Sequence, residues 1–253
     1  MRQRMNKTLF ATAIVLALTL TAAAAKKPSP YQKRSGPDLP PGQPVVPALC
    51  DPCLFYSGDL NPSDGQAAGF SDEDTLLVTG GSTYAPVSIP SGIASANLTG
   101  ILFNIQADAN FDPQSASYDI RQGVSSGNGG TEVASGTANI TVATTGRAFL
   151  GLTEFSVLVT IPTVALAGGG EFWFNITPEC TNGAVDGSCY VGRMFLSNTT
   201  QMANEQFGHA SAPYQLYLNS SYFGYTFEPW CDLGLVNGEC RFASFGLVGT
   251  VTR

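Results

Sequence analysis

Two apolar stretches joined by three glycines constrain the fold of this 253-residue chain more than any other feature. Between Phe149 and Thr177 the chain reads FLGLTEFSVLVTIPTVALAGGGEFWFNIT. Phe155, Val157, Val159 and Ile161 alternate with Ser156, Leu158 and Thr160. A period of two predicts a strand with at least one buried face. Gly168, Gly169 and Gly170 supply a turn. Beyond it Phe172, Phe174 and Ile176 share one face, and Trp173, Asn175 and Thr177 take the other. The two segments read as neighbouring long strands on which the rest of the chain builds.

Further β-like segments follow the same logic. They run at Leu76–Thr79, Pro86–Ile89, Leu98–Gln106, Ser117–Val124 and Thr131–Thr144, then at Tyr190–Leu196, Tyr214–Leu218, Tyr222–Glu228 and Phe242–Thr252. Pro86 and Pro90 suit the ends of a strand rather than its interior. Residues 50–75 read as loop, and only Thr200–Phe207 has a short helical look. No long amphipathic helix interrupts the pattern, which excludes βαβ architectures. The expected fold is all-β: a two-sheet antiparallel sandwich, of jelly-roll type in its finer form, with a β-barrel as the alternative.

Three units precede or make up the fold. Residues 1–25 have a basic start (Arg2, Arg4, Lys7), an apolar Leu9–Leu20 and small residues Ala22–Ala25, the three marks of a secretory signal peptide. Residues 26–47 hold seven prolines and four basic residues. They read as an extended tether that buries little. Residues 48–253 form a single domain, long enough to bury a core unaided. After signal cleavage no segment is expected to span a membrane, and no hydrophobic sorting tail is read at the end.

Charge excludes some partners. The whole chain has net charge −7, but 18 acidic residues and only five arginines lie beyond residue 47, with no lysine among them. An acidic, lysine-free domain repels phosphate backbones, so nucleic acid is not an expected partner, and anionic membranes are not attracted.

The six cysteines, Cys50, Cys53, Cys180, Cys189, Cys231 and Cys240, suit disulfides on a secretory route. CTNGAVDGSC and CDLGLVNGEC both fit C-x2-G-x-V-[DN]-G-x-C, and Asp186-Gly187 and Asn237-Gly238 favour tight turns. Local pairs Cys180–Cys189, Cys231–Cys240 and Cys50–Cys53 are expected. The Cys50-x2-Cys53 pair follows a proline-rich stretch rather than a strand, so a structural bridge fits better than a redox site.

Candidate sites are few. Asn97, Asn139, Asn175, Asn198 and Asn219 head N-glycosylation sequons, and Asn139 and Asn175 fall on the polar faces of their strands. Asp59 and Asn61, and Asp108, Asn110 and Asp112, have the alternate spacing of a calcium loop but lack its glycine and final glutamate. The chain is therefore read as needing no cofactor, with calcium as the metal its spacing would suit. His209 is the sole histidine, and no G-x-S-x-G elbow surrounds a serine. Glu154, Glu171, Glu179 and Glu228 could serve a glycosidase only if two converged. Trp173, Tyr222, Tyr225 and Trp230 are the aromatic candidates for stacking on sugar rings, against the plainer reading of a core and cross-strand ladder.

The order of a signal peptide, LFYSGDLNP, DEDT, APVSIPSG and then VTIPTVALAGGGEFWFNI resembles a diffuse group of exported bacterial β-sandwich proteins. Many of that group carry D-N-G-P and D-D-F where this chain has SGDLNP and DEDT. The resemblance spans most of residues 54–248. It implies the fold and an extracellular, periplasmic or cell-surface location, but no activity or site. The expected function is a non-catalytic structural or adhesive protein, partnered by polysaccharide or other surface proteins. A carbohydrate-binding module is the first alternative and a polysaccharide-active enzyme the second.

Closing each ten-residue cysteine loop should stabilise the domain by roughly 3 kcal/mol in the chain-entropy model. Non-reducing peptide mapping of the exported protein is expected to recover Cys180 with Cys189 and Cys231 with Cys240. Crossed pairs or free thiols would contradict the loop assignment.

Overall fold

The computed structural model describes residues 46–60, 68–71, 78, 80–108, 111–179, 194–199, 216–230 and 242–253. Thirteen strands account for almost all of the regular structure among these residues. They are Cys53–Tyr56 (β1), Ala68–Ser71 (β2), Ser82–Ser88 (β3), Ser95–Ala107 (β4), Ser115–Gln122 (β5), Thr131–Phe149 (β6) and Leu152–Ala167 (β7). Glu171–Glu179 (β8), Met194–Thr199 (β9), Tyr217–Ser220 (β10), Tyr225–Pro229 (β11), Phe242–Ala243 (β12) and Phe245–Thr252 (β13) complete them. The described residues contain no α-helix. All pairings are antiparallel, and the strand order β1-β13-β4-β7-β6-β5-β8-β3-β10-β11 does not close on itself. The fold is therefore an open all-β sandwich and not a barrel.

Two sheets are joined by one strand. The first half of β6, Thr131 to Asn139, pairs with β5, whereas Ile140 to Phe149 pairs with β7. Sheet I is thus β1-β13-β4-β7 and the second half of β6, with β9 beside the end of β4. Sheet II is the first half of β6 followed by β5-β8-β3-β10-β11.

The glycine turn has a different role from the expected one. β7 and β8 are not hydrogen-bonded neighbours: β7 lies between β4 and β6, and β8 lies between β5 and β3. Gly168–Gly170 carries the chain from one sheet to the other. A second corner, from β3 to β4, runs beside it. Gly169 N–H donates to Ile89 O at 2.8 Å, Ile89 N–H to Gly170 O at 2.9 Å and Gly168 N–H to Ala94 O at 3.2 Å. A Cβ on Gly168 would stand 1.6 Å from Ile93 O, so only glycine admits this approach. The pairs β3/β8 and β4/β7 form one two-chain ribbon folded over the double corner, the element on which jelly-roll wrapping is built.

Apolar alternation fills the space between the sheets. Ile101, Phe103 and Ile105 of β4 and Val157 and Val159 of β7 are fully buried against Phe174 and Ile176 of β8 and Ile120 of β5. Phe245 anchors the contact, 5.1 Å from the Phe55 ring, 5.2 Å from Phe103 and 6.4 Å from Phe174 across the gap. Ala138, Ile140 and Val142 of β6 pack against the same core, as their alternation predicts.

Other expectations are corrected. CLFY, read as loop, is strand β1, and AGFS is β2. Both are too short to show a period. Pro86 sits inside β3, opposite Trp173. Among the described residues β10 is registered only against Ser82–Tyr84, so no described strand on that side uses a donor at this position. β7 also runs through Pro162, where its register against β4 shifts between Leu98 and Gly100 and forms a bulge. The segments Leu76–Thr79 (apart from Val78), Tyr190–Arg193 and Thr200–Phe207 lie outside the described residues.

Phe174 has no exposed surface and sits at the centre of the inter-sheet contact. Phe174→Ala is expected to cost about 3–5 kcal/mol. Urea unfolding should show a lower midpoint at unchanged slope; an unchanged midpoint would mean that the face is not core.

Candidate functional site

Both outer sheet faces carry polar or aromatic groups that are buried without belonging to the inter-sheet core. On sheet I the alternation that sends Phe103 and Val157 inward sends Asn104 and Ser156 outward. They remain buried, at 0% and 3% exposure, beside Tyr56 and Ser244. Asn104 Nδ2 donates to Tyr56 OH at 2.8 Å and to Ser244 Oγ at 2.6 Å, and Ser156 Oγ donates to Asn104 Oδ1 at 2.6 Å. Tyr56 OH donates to Asp59 Oδ1 at 2.8 Å, and Ser244 Oγ donates to Gly58 O at 2.5 Å. Every donor on this path has an acceptor.

Asp59 extends the path to ions. Arg147 Nη1 lies 3.1 Å from Asp59 Oδ1, and its Nε donates to Glu154 Oε2 at 2.5 Å. Thr145 Oγ1 donates to the same Glu154 oxygen at 2.7 Å and accepts from Arg147 N–H at 3.1 Å. Glu154 has no exposed surface. Burial raises its pKa above the usual carboxylate value, and Arg147 with the Thr145 and Ser197 hydroxyls only partly opposes this. Burial alone would lower Arg147, but Glu154 and Asp59 outweigh it and hold the guanidinium charged. Burial, with Asp59 beside it, raises the Tyr56 phenol well above its ordinary value.

A cleft of about 380 Å³ opens on this face. Val46, Pro47 and Leu49 form one side, and Thr144, Arg147 and Ser156 the other. The apolar wall is held by the Cys50–Cys53 disulfide, which closes the loop leading into β1. Cys50, Tyr56, Leu102 and Val248 pack beneath it.

The outer face of sheet II carries an aromatic cluster of Tyr84, Val124, Trp173, Tyr217 and Phe227. Tyr84 and Phe227 stand 5.0 Å apart, and Trp173 meets Tyr217 edge-on at 6.5 Å. The Arg121 guanidinium lies 5.4 Å from the Phe227 ring centre and 5.9 Å from that of Tyr84. Its Nε donates to Asp119 Oδ2 at 2.5 Å, and Tyr84 OH donates to the same oxygen at 2.7 Å.

The structure distributes the sequence candidates widely. Of the four aromatic residues, only Trp173 joins this cluster. Trp230 is 3% exposed and belongs to the inter-sheet core, so it cannot offer a stacking face. Tyr225 is half-buried against that core, and half-buried Tyr222 pairs edge-on with Phe223 at 4.9 Å. Asn139 is exposed, and Asn97 and Asn219 are half-exposed. Asn198 is buried, and so, against the polar-face reading, is Asn175. Asn175 lies on the predicted face, but that face is covered; its Nδ2 donates to Thr83 O at 3.0 Å. Of the calcium candidates, Asp59 is engaged by Tyr56 and Arg147. Asp108 and Asp112 are described, while Asn61 and Asn110 lie outside the described residues. Among the described residues no group of three or more His, Cys, Asp or Glu is placed to hold a metal ion. Glu171 and Glu179 stand at opposite ends of β8, and Glu228 lies on β11. His209 and the cysteines from Cys180 to Cys240 lie outside the described residues. Sequence reasoning missed Arg147, Asn104, Tyr84 and Arg121. The available signal was a polar residue at an outward position inside an otherwise apolar strand, as with Asn104 in ILFNIQA.

No protein-family model matches the chain, and neither does any curated protein.

Glu154 gives a signed pH dependence. Its native pKa exceeds the ordinary value of 4.5, so the native state holds this proton more tightly than the unfolded chain. The stability it contributes is complete below the ordinary value and is lost as pH rises through the native one. Glu154→Gln is expected to remove this component, flattening the urea midpoint against pH in that window. An identical profile in wild type and variant would show that Glu154 does not titrate differently on folding.

Proposed function

We propose that the chain is a secreted or cell-surface, non-catalytic β-sandwich module with a structural or adhesive role. The observation that carries this reading is the use made of its buried charges. Arg147, Glu154 and Asp59 tie β6, β7 and the segment after β1 to one another at 2.5 and 3.1 Å. A general acid needs a proton and access to substrate, whereas Glu154 is sealed under hydroxyls and a guanidinium. These groups act as a clasp over the outer face of sheet I. The basic, proline-rich residues 26–47 suit a tether that holds such a module away from the surface to which it belongs.

A carbohydrate-binding role is the second reading, favoured by the gathering of Trp173 with Tyr84, Tyr217 and Arg121 on one outer face. A screen of the exported protein on polysaccharides and esters, with Glu154→Gln, Glu171→Gln and Glu228→Gln variants alongside, separates these readings from an enzyme. No turnover is expected. Turnover abolished by any of these changes, with the fold retained, would overturn the non-catalytic reading.

A further inference from the structure

Phe227 combines two irregularities. It is a non-glycine residue in the left-handed region, with φ 45°. It also lies where β11 loses register with β10, between the pairs Leu218–Glu228 and Ser220–Tyr225. A bulky residue there is strained, and the strain reduces what is lost if the residue moves. Its ring lies against Tyr84 and Arg121 and under Gly129, on which a Cβ would stand 2.5 Å from it.

Two polar atoms in the same region have no hydrogen-bond partner among the described residues. One is Trp173 Nε1, on a residue 92% buried; the other is Asp119 Oδ1. Their residues are diagonal neighbours across β8 and β5, since Arg121 pairs with Trp173 and Asp119 with Asn175. A buried donor and a buried acceptor left unmade each cost free energy, because water has been removed from them and nothing has replaced it. On sheet I the donors from Ser156 to Tyr56 all find acceptors, and the spare buried atom of the clasp, Glu154 Oε1, is an acceptor with no unpaired donor beside it among the described residues. On sheet II an indole N–H, a carboxylate oxygen, a guanidinium and three aromatic rings are held together with hydrogen-bonding capacity unused.

We propose that this face is a closed binding site for a pyranose sugar, with Phe227 as its removable cover. A pyranose presents a C–H face that stacks on aromatic rings and a rim of hydroxyls that both donate and accept. Displacing Phe227 would uncover Trp173, Tyr84 and Tyr217 as the platform. Asp119 Oδ1 would accept from a sugar hydroxyl and Trp173 Nε1 would donate to one. Arg121, already fixed by Asp119 and the Gly129 carbonyl, supplies a second donor at the edge. An apolar platform with a few convergent polar groups is the usual form of such sites. The site stays shut without ligand because Phe227 fills the place of the sugar ring, so apparent affinity is reduced by the small open fraction. The inference rests on the carbohydrate-binding reading of this face and deepens it by naming the ligand class and the residue that covers the site.

The test uses the exported chain, with methyl glycosides of glucose, galactose, mannose and N-acetylglucosamine and their β-linked tetrasaccharides, read by calorimetry and saturation-transfer NMR. Phe227→Gly removes the cover and its backbone strain together. It is expected to tighten binding of at least one probe about tenfold over wild type. Gly129→Ala, which pushes the ring aside, should act in the same direction and serves if the first variant does not fold. In the opened background, Trp173→Phe keeps the ring but loses the N–H, and Asp119→Asn loses the acceptor; each is expected to weaken binding about tenfold. No binding of any probe by the folded opened variants at millimolar concentration overturns the site. Binding indifferent to Trp173→Phe and Asp119→Asn overturns it as well. Either failure leaves the non-catalytic reading standing. Cleavage of a bound tetrasaccharide would support the site and overturn that reading instead.

Discussion

The double corner between the sheets is the constraint on which the rest of the sandwich depends. Two chain segments reverse sheet at the same place, Ile89–Ala94 and Gly168–Gly170, and three backbone hydrogen bonds hold them side by side. Backbone groups at such a corner leave one sheet's ladder before joining the next, and buried ones without partners would be costly. Here each corner satisfies the other. Because the corners are locked together, β3 stays beside β8 in sheet II and β4 beside β7 in sheet I. The apolar faces of all four strands are thereby directed into one space. The absence of a side chain at Gly168 permits the approach, and burial of Phe174, Phe103 and Phe245 makes it favourable.

β6 solves the corresponding problem on another side of the sandwich with a single strand. Changing partner at Asn139 and Ile140 lets it edge sheet II and then sheet I without a break. Its composition follows from that position. TEVASGTANITVATTGRAF is mostly small or β-branched and alternates only weakly. Its outward residues meet water, and Ala138, Ile140 and Val142 touch the core only partly. The charged residue that matters on it, Arg147, comes after the change of partner and reaches β7 and the segment beyond β1. The clasp thus fixes the end of the strand that has already joined sheet I.

The inward faces were legible because alternation reports burial directly, so Phe172, Phe174 and Ile176 and the β4 and β7 apolar sets follow from the sequence. Partnership was not legible. A period of two does not say which strand lies alongside, and Gly168–Gly170 reads equally as a hairpin turn or an inter-sheet corner. Pro86 misled for a related reason: whether a proline breaks a strand depends on whether a neighbour requires its N–H, a property of the sheet and not of the segment. Asn175 was placed on the right face and given the wrong environment. Outward on β8 means toward water only if nothing covers sheet II, and Tyr84, Trp173 and Tyr217 already make that face aromatic. The candidate site was therefore legible in one residue, Trp173. Its partners Tyr84, Asp119 and Arg121 lie some fifty to ninety positions earlier and meet it only through the β3–β8 and β5–β8 registers.

The two outer faces differ in a way that burial alone does not reveal. Both carry an arginine held by carboxylates, both bury a tyrosine whose hydroxyl donates to an aspartate, and both lie over a fully apolar inner face. On sheet I the chain of donors from Ser156 through Asn104 and Tyr56 reaches Asp59, where Arg147 closes it, so the network makes the face rigid. On sheet II the corresponding chain reaches Asp119 Oδ2 from Tyr84 and Arg121 and stops there, with Oδ1 and the Trp173 N–H left over. Under the proposal made above, a molecule that both stacks on the rings and hydrogen-bonds at their rim would use those two groups from the place now filled by Phe227. The clasp of sheet I leaves a buried oxygen of its own, Glu154 Oε1, so what sets sheet II apart is that its spare donor and spare acceptor lie on neighbouring strands beside aromatic rings and the strained Phe227.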